Sequence, residues 1–204
     1  MKLKLVLVPA VCLSLLVFSA VSTRSQTLVT FDDLPPATGD IPSGYQGLTW
    51  SNLWVLNAIL VANNAGTNGY YYGMVSPSNV AYNAGGVAAE IDSATNFDFF
   101  SACLTGAWNS NLNIQVEGFN GAQEIYNTIV VASATNPTLF TFNYMDIDRL
   151  YFDSYGGEPA FGGGGDSIFV IDNFLFDFIP EPSPLLMTAL GAVTLVAFLK
   201  RRRG

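Results

Sequence analysis

Three consecutive tyrosines, Tyr70, Tyr71 and Tyr72, lie between Asn68-Gly69 and Gly73, and two tryptophans, Trp54 and Trp108, have asparagines close by. Flat aromatic rings pack on the C–H faces of sugar rings, while amides and carboxylates hydrogen-bond the hydroxyls. These five residues are therefore candidates for glycan binding. The flanking glycines predict a loop or strand edge for 68–73. The alternative is packing: Trp54 faces the core and the tyrosines fill a sheet face.

Carboxylates offer two further chemistries. Asp32 and Asp33 follow the first apolar run, and Asp172 lies in the last one. If the terminal strands lie side by side, these three aspartates and nearby loop carbonyls could hold a structural Ca2+, which takes several oxygen ligands. Asp146-Met-Asp148 lacks the glycine and distal glutamate of a helix–loop–helix calcium loop. The pairs Glu90/Asp92 and Glu117/Glu124 have the residue types for glycoside hydrolysis. However, Asn113, Gln115 and Glu117 alternate with apolar residues, so Glu117 belongs to the wet face of a strand. With no histidine in the chain, Ser-His-Asp and Cys-His catalysis and imidazole zinc sites are excluded. Cys103, in the apolar setting Phe99-Phe100-Ser101-Ala102-Cys103-Leu104, reads as a buried, inert thiol.

The elements that must position these residues are strands. Runs at 28–31, 48–56, 87–91, 97–104, 112–117, 124–131, 139–142, 149–154 and 167–178 are rich in β-formers and separated by Gly, Asn, Pro and Ser. Asn120-Gly121 predicts a hairpin between two of them. No segment between the termini sustains a 3.6-residue period. Phe140, Phe142, Phe152, Phe169, Phe174 and Phe176 supply core bulk. Gly156-Gly157 and Gly162 to Gly165 form a loop before the last strand, with no lysine or helix to make a phosphate cradle. Many short strands in about 155 residues predict an all-β domain over 26–178, an antiparallel β-sandwich of jelly-roll type.

Both ends differ from this middle. Met1-Lys2-Leu3-Lys4 and the apolar run 5–21 form a signal-peptide pattern, and cleavage is expected after Ser22, giving a segment 1–22. Cys12 has no lipid-attachment box before it. At the other end Pro180-Glu181-Pro182 precedes an apolar run, 185–199, and then Lys200, Arg201, Arg202 and Arg203. Fifteen residues are short for a membrane span, but the basic cluster can snorkel and holds its end cytoplasmic. Between the ends, fifteen acids face Arg149 alone, a net charge near −14. Nucleic acid is excluded as a partner, because phosphates need clustered cations.

The tail, 179–204, resembles the PEP-CTERM sorting signal: Pro-Glu-Pro, a membrane helix with Ala189, Gly191 and Ala192 near its middle, and an Arg-rich end. The resemblance implies export, transient anchoring in the inner membrane through helix 185–199, processing by an exosortase-type enzyme, and residence at the cell surface or in the exopolysaccharide matrix. The middle is similar to the jelly-roll domains of exported proteins related to galactose-binding-like and carbohydrate-binding modules. The phrases that carry this are Phe31-Asp32-Asp33-Leu34, Gly44-Tyr45-Gln46-Gly47-Leu48-Thr49-Trp50-Ser51-Asn52 and Phe169-Val170-Ile171-Asp172-Asn173-Phe174. Together these imply a non-catalytic, structural or adhesive protein with extracellular polysaccharide as a partner; the rival class is a secreted glycan hydrolase using paired carboxylates.

Overall fold

The computed structural model describes residues 25–162 and 166–180, with Phe198, Arg201 and Arg202 beyond them. The signal peptide 1–22, Glu181, Pro182, Arg203 and most of the helix expected at 185–199 lie outside the described residues. Pro180 ends the described domain and is exposed, as are Arg201 and Arg202. Among the described residues no helix is long and apolar enough to cross a membrane.

The strands, in chain order, are β1 (Thr27–Val29), β2 (Gly39–Asp40), β3 (Thr49–Ser51), β4 (Leu53–Asn57), β5 (Asn79–Asn83), β6 (Ala89–Gly106), β7 (Asn109–Ser110), β8 (Leu112–Asn120), β9 (Gln123–Ala132), β10 (Thr138–Tyr155), β11 (Glu158–Pro159) and β12 (Phe169–Phe178). Ten of them form one sheet in the order β2-β4-β5-β12-β6-β10-β8-β9, with β1 added to β12 and β3 to β6. All its pairings are antiparallel. The all-β, antiparallel expectation therefore stands.

Two features depart from the sequence reading. Runs 87–91 and 97–104 are halves of one 18-residue strand, β6, and 139–142 and 149–154 are halves of β10. The polar residues between the halves looked like turns. Instead they are bends: β10 slips register against β6 between Thr141 and Arg149, and Asn143 and Asp146 take positive φ there. Conversely, run 48–56 breaks into β3 and β4 at Asn52, whose φ is 56°.

The bends fold the sheet over on itself. Its first half is β3, Ala89 to Asp92 of β6, Arg149 to Tyr155 of β10, β8 and β9. The second half contains the rest of β6 and β10 with β12, β1, β5, β4 and β2. The halves meet through aromatic rings: Trp50 of β3 lies edge-on to Phe174 of β12 at 5.6 Å. Phe99 stacks on Phe174 at 4.7 Å and on Phe142 at 4.9 Å, with Phe152 edge-on at 6.4 Å. Phe152, Phe169, Phe174 and Phe176 are fully buried, while Phe140 and Phe142 pack from the core's margin. This is the two-layer arrangement of a sandwich.

Two short helices were not expected. α1 (Ala58–Ala65) is capped by Asn57, whose side chain accepts the Leu60 N–H at 3.0 Å. α2 (Gly69–Gly73) contains the tyrosine triplet, so 68–73 is neither a loop nor a strand edge. Eight and five residues are too few to show a helical period in the sequence. Gly69 lets α2 sit directly on β6, since a Cβ there would lie 1.9 Å from the Gly106 carbonyl oxygen.

Candidate functional site

Cross-strand register builds an ordered surface on the outward face of the first half-sheet. One row runs Ser51, Glu90, Tyr151, Glu117, Asn127 across β3, β6, β10, β8 and β9. The next runs Thr49, Asp92, Arg149, Phe119, Glu124. Asp153, Gln115 and Ile129 form a third, and Tyr155, Asn113 and Val131 a fourth. At about 4.8 Å per strand, each five-strand row is about 19 Å long. Residues alternating with these, such as Ile91, Leu150, Phe152, Ile114 and Val116, are fully buried. Core packing beneath the face therefore fixes which side chains project from it.

The side chains of the face are held by one another. Gln115 Nε2 donates to Glu117 Oε1 at 2.7 Å and to Asn127 Oδ1 at 3.2 Å. Asn127 Nδ2 donates in turn to Glu124 Oε1 at 2.9 Å and to Glu117 Oε1 at 3.3 Å. Arg149, the one cation of the domain, places Nη1 3.5 Å from Glu90 Oε1, with its guanidinium 4.2 Å from the centre of the Phe119 ring. Its Nε is buried without a partner.

The carboxylates crowd each other. Burial raises the Asp92 carboxyl above its ordinary value, helped by the Glu90 charge and a hydrogen bond to it, and opposed by Arg149. Burial also raises Glu117, with Glu124 and Asp153 adding to the effect. The Tyr151 hydroxyl is raised by burial and then by Asp153, Glu117 and Glu90. The result is a sheet face with three aromatic side chains (Phe119, Tyr151, Tyr155), three amides and a strong excess of negative charge.

The five aromatic candidates from the sequence lie elsewhere. Trp54 on β4 and Tyr70 on α2 both set their rings edge-on to Tyr82, at 6.5 and 5.2 Å, and Trp108 is edge-on to Tyr70 at 5.9 Å. These residues belong to a second apolar cluster with Leu56, Val80, Ala107, Ile168 and Val170. Edge-to-face contacts cover ring faces, so this is a packing arrangement for Tyr70 above all, which is buried. Tyr72 stacks on Phe161 at 6.0 Å, and Tyr71 alone of the triplet is exposed. Tyr151, Tyr155, Phe119, Gln115 and Asn127 were not among the sequence candidates. The one signal for them was the Asn113-Gln115-Glu117 alternation.

Each of the three aspartates considered for calcium accepts at least one hydrogen bond from the protein. Asp172 is fully buried and accepts from the Val75, Ser76 and Asn173 N–H groups and the Ser76 hydroxyl. Asp32 accepts the Asn79 N–H at 2.9 Å, and Asp33 accepts the Tyr45 hydroxyl at 2.5 Å. Asp172 and Asp32 thus pin the two ends of segment 75–79. Among the described residues no group of three or more acidic or thiol side chains is placed to hold a metal ion. Melting curves recorded with calcium and then with chelator test a structural calcium here: a rise of several degrees with calcium would show a bound cation, and identical curves would end the idea. Cys103 is buried, as expected, and burial raises its thiol pKa, with Asp172 adding to the effect.

No protein family's sequence pattern matches this chain, and no curated protein matches it. Among solved structures, it is similar at 10% identity to TmCBM61, solved in complex with beta-1,4-galactotriose; the TM-score is 0.38, covering 69% of this chain and 95% of that one. A DUF4465 family protein from Bacteroides ovatus is similar at 9% identity, with a TM-score of 0.44, covering 75% of this chain and 94% of that one. Both likenesses are faint, and no ligand for this chain follows from them.

Proposed function

We propose that this is an exported cell-surface or exopolysaccharide-matrix protein whose first half-sheet binds a neutral glycan without cleaving it. The observation that carries the binding reading is the register that lines up Ser51, Glu90, Tyr151, Glu117 and Asn127 on one outward face. Aromatic rings among amides and carboxylates match the two surfaces of a sugar, its C–H face and its hydroxyl rim. Strands hold such groups more rigidly than loops do, which lowers the ordering cost of binding. Export, and processing by an exosortase-type enzyme, rest on the terminal sequence patterns alone.

The charge of the face selects the sugar. Glu90, Asp92, Glu117, Glu124 and Asp153 surround Arg149, whose guanidinium already contacts Glu90 and Phe119. Uronic acids and sulfated sugars would meet net repulsion there. Hydrolysis would need two of these carboxyls at the separation that glycoside cleavage requires, so the test below also reads bond cleavage.

Affinity electrophoresis of the full chain in detergent micelles tests this. Retardation is expected in gels containing a neutral polysaccharide and not in gels containing a uronate-rich one, with no new reducing ends released. Gln115→Ala combined with Asn127→Ala is expected to weaken retardation about tenfold, the effect of losing roughly 1.4 kcal/mol of hydrogen bonding. Equal mobility in every gel would remove the glycan reading, and released reducing ends would restore the hydrolase.

A further inference from the structure

Strand β9 is the last strand of the first half-sheet. Its inner edge pairs with β8 from Leu112↔Ala132 to Asn120↔Gln123, and among the described residues no strand pairs with its outer edge. Exposed edges of soluble proteins are usually blunted by charges, prolines or shortness, because their N–H and C=O groups template another strand. This edge has none of those devices along its straight part. β9 is ten residues long, contains no proline, and from Ile125 to Met145 the chain carries no charged residue. Its outward residues Ile129 and Val131 are 52% and 54% exposed. The domain around it has a net charge near −14, so copies of the protein repel each other less along this uncharged stretch than across the acidic face.

We propose that two copies of this chain pair antiparallel, β9 to β9, about a two-fold axis at Ile129. In that register Ile129 faces its counterpart, Asn127 faces Val131, and Tyr126 faces Ala132, so apolar contacts continue across the axis on both faces. The registers centred on the neighbouring outward residues are worse. Centring on Asn127 brings in Ile125, where the slip between Gly118 and Phe119 bulges the strand. Centring on Val131 sets Ile129 against Ser133, past the end of β9 at Ala132.

The dimer extends the candidate binding face. The row that ends at Asn127 in one copy continues into the row that ends at Val131 in the second, and the two Ile129 rows continue into each other, making a ten-strand surface from two five-strand ones. A polymer lying across it would be held twice, the second contact being made at high effective concentration.

Cross-linking of the full chain in detergent micelles tests the register. With Cys12→Ala and Cys103→Ala as background, Ile129→Cys carries the only thiol, and Leu139→Cys, which is 60% exposed in the second half-sheet, is the control. A short bismaleimide spans either kind of cross-strand pair. At low micromolar protein it is expected to trap at least about tenfold more dimer through Ile129→Cys than through Leu139→Cys. Adding Val131→Lys, the kind of charge that blunts natural edges, is expected to return the yield to the control level. Equal yields at the two positions, or a yield indifferent to Val131→Lys, would overturn the pairing. Sedimentation of the chain with both native cysteines gives an independent reading. A dimer that Val131→Lys converts to monomer supports the proposal, and a monomer at all concentrations rejects it. Glycan retardation by a monomer would leave the binding face intact and remove only the dimer.

Discussion

Asp172→Asn is expected to melt roughly 6–12 °C below the parent chain at pH 7.5, a loss of about 3 kcal/mol in a domain of this size. Oδ2 of Asp172 accepts the Val75 and Ser76 N–H groups, each at 2.7 Å. Oδ1 accepts the Asn173 N–H at 2.7 Å and the Ser76 hydroxyl at 3.0 Å. An amide in its place must point its own N–H2 at one of these donor pairs, leaving at least one backbone N–H unmatched whichever way it flips, even where the Ser76 hydroxyl turns to accept.

The loss also depends on pH in a defined direction. Burial pushes the Asp172 carboxyl up from 3.8 to about 6, against the pull of its four donors. Between these values the folded chain holds the proton more tightly than the unfolded chain does. The linked stability, about 3 kcal/mol for a rise of that size, is fully present below about pH 3.8 and is lost as pH rises through about 6. Asparagine has no such proton, so the gap in melting temperature between parent and variant should be wider at pH 5 than at pH 8. Burial raises Asp92 and Glu117 as well, with the same sign, so the parent itself should gain stability on going from pH 7.5 to 5. Melts across that range check both statements. A gap that stays constant, or widens toward pH 8, would contradict the buried setting of Asp172.

The second large effect concerns binding. Tyr151→Ala is expected to weaken glycan binding about thirtyfold, or about 2 kcal/mol, as for an aromatic anchor at the centre of an interface. Tyr151 stands mid-row between Glu90 and Glu117, where a sugar ring packed on it would reach carboxylates on both sides. Tyr71→Ala, on α2 against the other half-sheet, should leave binding unchanged. Retardation in neutral-polysaccharide gels measures both, and circular dichroism shows whether the strands survive. Full retardation of Tyr151→Ala together with loss in Tyr71→Ala would move the site from the sheet face to the helical end.

Much of the fold was legible in the residues. Leu112, Ile114 and Val116 point inward and Asn113, Gln115 and Glu117 outward, as the two-residue period of a strand requires. Asn120-Gly121 makes the expected hairpin, with Asn120 paired to Gln123 and Gly121 at a φ of 58°. The candidate site was far less legible. Tyr151 lies beside Glu90 and Glu117 because β10 runs between β6 and β8, a pairing made over long stretches of chain. Its neighbours along the sequence, Leu150 and Phe152, show only that it faces outward.

By itself the sequence determined the strand class of the middle, its acidity, the lack of histidine chemistry and the distinct pattern of each terminus. All of these follow from composition or from periods a few residues long. Tertiary structure alone decided that Asp172 serves as a buried acceptor, that Trp54, Tyr70 and Trp108 pack together, and that Tyr151 sits among carboxylates. Those outcomes depend on strand register and on bends within β6 and β10. Register is set by burying one face of every strand at once, a condition that no single segment of the chain contains.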